Sequence, residues 1–87
     1  MTNQISKHRK KIDSLDEEIL ELIQERVQES INIRRLKIEH NIPLNTPERE
    51  RELIQHLIER SKGRIPAEVI KEIWETIIRG GKLTKDN

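Results

Sequence analysis

Arg26 and Lys37 put positive charge on a helical face that otherwise carries isoleucine and leucine. Ile5, Ile12, Leu15, Ile19, Leu22, Ile23 and Ile33 return at spacings of three, four and seven, which makes one apolar stripe. With Arg26 at zero and about 100° per residue, Ile33 and Leu15 fall about 20° to one side, and Ile19 and Lys37 about 20° to the other. Ser30 lies about 40° off and His8 falls on the stripe, whereas Arg9 stands about 100° away on a flank. A cation buried without a counter-charge is very costly, so these positions demand an anion. It can come from glutamates of a neighbouring helix, or the side chains can snorkel outward. A third source is a guest molecule. Arg49 and Glu50 stand one turn before Leu53 and Leu57, and read alone they are a solvated charge and a first-turn acid suited to the helix dipole. Together, Arg26, Lys37 and Arg49 can converge on one pocket. Two arginines make planar, two-pronged clamps for carboxylates, and a lysine adds a point charge. The ligand class this implies is a small molecule with more than one carboxylate.

Three Gly- and Pro-free segments, roughly 4–41, 48–62 and 67–79, must carry these groups, and all are rich in helix formers. Pro43 and Pro47 bracket the first connection, Gly63 and Pro66 the second, and Gly80-Gly81 marks a break near the C-terminus. Pro47 and Pro66 suit a first helical turn, and Thr46 suits an N-cap. No strand alternation or internal repeat is visible. The expected class is therefore all-α, with three helices and one very long first helix. That helix would run about 55 Å, far beyond the usual globular length of about 11–12 residues. Two short partners cannot cover so long a stripe. A second copy can, so an intertwined homodimeric helical bundle is expected, with sites built from both copies.

Bulk composition agrees. The 87 residues are read as a single domain spanning 1–87, near the lower limit for an independent core. Only 32% of residues are apolar against 38% charged, and Trp74 is the lone aromatic. Trp74 falls among Ile70, Ile73, Ile77 and Ile78, as core packing would place it. The net charge of +1 comes from interleaved signs, unlike the basic face of a nucleic-acid binder. Cysteine is absent, and His8, His40 and His56 lack metal-ligand spacing, so neither a disulfide framework nor a metal site is expected. Lys7 to Lys11 interrupt any leader-like apolar run, and no stretch reaches membrane-span length. The reading is a cytoplasmic protein with neither membrane nor nucleic-acid partners.

The segment from Arg9 through Asp16, then Leu22 to Arg26, Lys37, Ile42-Pro43 and Pro47 to Glu50 resembles the all-α (AroQ-type) chorismate mutase family. The resemblance extends through Ile78. It implies a three-helix chain, intertwined as a dimer with two equivalent sites, in which chorismate rearranges to prephenate by a concerted Claisen shift. No cofactor, metal or covalent intermediate is implied. Arg26 and Arg49 would hold substrate carboxylates, and Arg9 would reach in from the other subunit. Glu50, with a backbone group near Thr46, would bind the ring hydroxyl. Lys37 would donate to the ether oxygen, and Ile33 and Ile78 would form walls. A pericyclic step moves no proton, which suits a chain with no nucleophile–histidine constellation.

Some positions depart from the family's pattern. Thr46 stands where the family usually has Asp. Lys85 aligns with a Gln or Glu that gives the ether oxygen a second donor, and lysine can donate there. Gly81 replaces an often polar residue and Lys82 an often apolar one. Gly80-Gly81 would ordinarily end a helix and so hold Lys85 away from the pocket. The competing readings are an isochorismate–pyruvate lyase on the same scaffold, and a non-catalytic dimerisation or regulatory module.

Overall fold

A computed structural model of the chain describes residues 2–85. The described elements are helices, in the order α1 (Thr2–Glu39), α2 (Pro47–Ser61) and α3 (Ala67–Leu83). The long axis of 59 Å is set by α1, and the other extents are 32 and 16 Å. Among the described residues, no helix is long and apolar enough to cross a membrane.

The first helix stops two residues short of the expected end, and Asn41 is the reason. Asn41 adopts the left-handed conformation, with φ of 56°. This lets the Asn41 N–H donate to the Ile38 carbonyl at 3.3 Å and the Ile42 N–H to the Lys37 carbonyl at 2.8 Å. Those two bonds form a Schellman closure, in which an αL residue lets the chain turn back on the last carbonyls. Lys37 therefore sits in a closed last turn.

Pro47 opens α2 at its first position after Thr46, which occupies the N-cap without a side-chain capping bond. Pro66 differs from expectation, being the N-cap of α3 rather than a first-turn residue. Its carbonyl accepts from the N–H groups of Val69 and Ile70 at 3.0 and 3.2 Å.

The third helix also corrects its expected end. It continues through Gly80 and Gly81 to Leu83, because its terminal carbonyls find side-chain donors. Thr84 donates its hydroxyl to the Gly80 carbonyl at 2.8 Å. Arg34, reaching across from α1, donates to the carbonyls of Gly81 at 3.3 Å and Thr84 at 2.9 Å. Orphan carbonyls at a helix end need such partners.

The third helix packs against both α1 and α2, while α1 and α2 do not pack on each other. Ile31 and Ile70 are the buried apolar side chains among the described residues. Leu53, Ile54, Leu57 and Ile58 of α2 are half-buried, as are Trp74, Ile77 and Ile78 of α3. Gly81 is buried against Ser30, whose Oγ lies 3.5 Å from where a glycine side chain would begin. Ile31 stands about 140° from Arg26 around α1, so α3 docks on a flank and leaves the main apolar stripe free. Along the stripe from Ile5 to Leu22, Ile12 is 55% exposed and Leu22 62% exposed, and Ile5, Leu15 and Ile19 are similar.

Candidate active site

A cavity of about 600 Å³ occupies the space between α1 and α2 that no helix contact fills. Each element contributes at a defined place. The last four turns of α1 present Arg26, Ser30, Ile33, Arg34 and Lys37. The connection adds Leu44, Asn45 and Thr46, and the first two turns of α2 add Arg49, Glu50 and Leu53. The end of α3 closes it with Ile78, Gly81 and Lys82. The spacing on α1 is helical, since residues three and four apart share a face.

The charge balance of this lining is lopsided. Arg26, Arg34, Lys37, Arg49 and Lys82 face a single carboxylate, Glu50. Glu50 is already engaged, because its Oε1 lies 2.7 Å from Nζ of Lys82. Arg34 is engaged by the end of α3. Arg26, Lys37 and Arg49 make neither an ion pair nor a side-chain hydrogen bond with any described residue. Arg26 and Lys37 are half-buried and Arg49 is exposed. The cavity is thus a concave, mixed apolar and cationic surface of the size that takes a small molecule. Ile33, Leu44, Leu53 and Ile78 supply its apolar part.

The residues singled out from sequence fall into two groups. Arg26, Ile33, Lys37, Thr46, Arg49, Glu50 and Ile78 lie together around the cavity. Arg9 and Lys85 do not. Arg9 is exposed and lies about 25 Å from Arg26 along α1, beyond side-chain reach within one chain. Lys85 lies past the end of α3, exposed and outside the cavity lining. Sequence reasoning missed Ser30 as a lining residue, Asn45, Arg34 and Lys82. Ser30 carried a signal, its position near Arg26 on the wheel. Arg34 carried none, since one arginine on a helix flank looks like any solvated charge.

Comparison with known proteins gives a consistent picture. The family model described as chorismate mutase type II matches residues 8–84. A bifunctional chorismate mutase/prephenate dehydratase of Aquifex aeolicus is 39% identical over 74 residues, covering 80% of this chain and 20% of that protein. A chorismate mutase of Methanocaldococcus jannaschii is 41% identical over 51 residues, covering 59% of this chain and 52% of that protein. The chain thus spans about a fifth of the length of the bifunctional relatives and about half of the shorter one. A solved chorismate mutase structure from Thermus thermophilus superposes with a TM-score of 0.85 at 32% identity, covering 90% of this chain and 98% of that one. Likeness in sequence and in backbone thus runs across all three helices that wall the cavity, and on that ground the chain belongs to the chorismate mutase type II family.

Proposed function

We propose that this chain is a chorismate mutase that rearranges chorismate to prephenate, in a site completed by a second copy of itself. The observation that carries the proposal is the charge of the cavity. Arg26, Lys37 and Arg49 line a space in which, among the described residues, the single carboxylate is Glu50, and that one is engaged by Lys82. A substrate with two carboxylates answers the three cations.

The chemistry asks little of the protein beyond shape and charge. As the ether C–O bond breaks, a C–C bond forms between the ends of the same molecule, and no proton is transferred. Two contributions remain for side chains. Arg26 and Arg49 hold the carboxylates so that the flexible enolpyruvyl arm stays folded over the ring, which replaces a rare encounter with a held geometry. Lys37 donates to the ether oxygen, where negative charge grows in the transition state. Its closed last turn fixes the backbone from which the ammonium reaches the cavity. Glu50 and a backbone group near Thr46 take the ring hydroxyl, with Ile33 and Ile78 as apolar walls. No cofactor or metal enters this scheme. Lys85 has no role in it, being outside the cavity lining.

The uncovered stripe of α1 supports the dimer. Each fully buried large apolar side chain contributes about 1.5–3 kcal/mol, so several half-exposed isoleucines and leucines in a row leave much stabilisation unused in a monomer. A second copy laid along the stripe covers them and brings its Arg9 to this chain's cavity.

The test is product analysis. Purified protein with chorismate should yield prephenate, and with isochorismate should release no pyruvate. Pyruvate would assign the lyase reaction instead. No turnover of either compound would make the chain a non-catalytic module.

A further inference from the structure

The ion pair between Lys82 and Glu50 is the feature that the family scheme leaves unexplained. Among the described residues Glu50 is the only carboxylate in the cavity lining, and a negative charge there repels a dianionic guest. Lys82 meets it at 2.7 Å through Oε1. A second cleft of about 190 Å³ lies on the other side, lined by Ile54, Glu75 and Arg79. Glu50, Ile78 and Lys82 border both spaces, so the ion pair forms part of their shared wall. Glu75 lines that second cleft with Lys82, and the ion pair of Lys82 is with Glu50.

The backbone of α3 is built to deliver Lys82 to this place. Gly80 and Gly81 would ordinarily let the helix unwind. Instead the Gly81 and Thr84 carbonyls, on either side of Lys82 in the chain, are both held by the Arg34 guanidinium. Gly81 packs against Ser30 at ordinary contact distance. Arg34 stands one turn before Lys37, so the helix that carries the proposed ether-oxygen donor also anchors the turn that bears Lys82.

We propose that Lys82 is a positioning residue for Glu50, a role that rests on the mutase reading above. Its ammonium holds one carboxylate oxygen and offsets the charge that would oppose substrate binding. Oε2 is left to accept the substrate's ring hydroxyl. Lys82 acts through Glu50 and does not touch the reacting atoms.

The experiment is a double-mutant cycle in steady-state kinetics with chorismate, using wild type, Lys82→Met, Glu50→Gln and the double variant. Lys82→Met should raise KM about fivefold, in keeping with a pair whose lysine is 56% exposed, while kcat stays close to wild type. Lys82→Arg should restore KM. In the Glu50→Gln background, where no carboxylate charge remains to offset, Lys82→Met should add almost nothing. Equal effects of Lys82→Met in the two backgrounds, or an unchanged KM in the single variant, overturn the proposal while leaving the mutase reading in place. Wild-type protein that forms no prephenate overturns both.

Discussion

Lys37 is half-buried, lies in the closed last turn of α1, and has no acidic partner among the described residues. In the proposed mechanism a cation so placed answers charge that appears only in the transition state. Removing one donor to such a charge costs about 10²–10³ in turnover. Lys37→Ala should therefore lower kcat by about that factor with a smaller change in KM, read by the loss of chorismate absorbance. An unchanged kcat would remove Lys37 from the role. At this scale the sequence was informative wherever a charge interrupted an apolar period. Arg26 and Lys37 stood out for that reason, and Arg49, Glu50 and Thr46 followed from their place at the start of α2. Arg34 stands about 80° from Arg26, off the stripe, and gave no such signal. Lys82 was hidden because it follows two glycines that promise an end to the helix.

The helices were legible from the positions of proline and glycine, but the end of α3 was decided by a contact that a linear reading does not contain. Asn41 closes α1 early by taking a left-handed conformation. Arg34 and Thr84 carry α3 past Gly80-Gly81 by satisfying its last carbonyls. At Gly80-Gly81 tertiary hydrogen bonds outweighed local propensity, whereas Asn41 ends α1 in keeping with its own tolerance of the left-handed conformation. Gly80 is consequently a glycine in a helix interior, with no atom within 4 Å of where a side chain would begin. Glycine there costs about 0.5–1 kcal/mol relative to alanine. Gly80→Ala should stabilise the protein by about that amount in urea unfolding followed by circular dichroism, with protein concentration held fixed because association adds to apparent stability. Destabilisation would mean that the open space beside Gly80 is filled in the assembled protein.

The whole molecule is a 59 Å helix with two shorter ones gathered beside its C-terminal half. Its N-terminal half carries an apolar stripe that its own chain leaves exposed. The long first helix and its stripe were plain in the sequence, whereas the second face of α1, around Ile31, was not recognised until α3 was seen docked on it. A second copy is proposed to cover the stripe, so sedimentation at micromolar concentration should give about twice the 10.4 kDa chain mass. Arg9 gives that assembly a functional consequence, since it lies far from Arg26 in its own chain and is assigned to the neighbouring cavity. Two defects placed on different chains should then complement. Arg9→Ala and Arg26→Ala proteins are each expected to be nearly inactive alone. When they are refolded together in equal amounts, half of the dimers should be mixed, and each mixed dimer should hold one site with both arginines intact. The measurement is chorismate turnover of that mixture, for which about a quarter of wild-type activity is expected. A mixture as inactive as its two parents would contradict a cationic cavity completed across two copies of the chain.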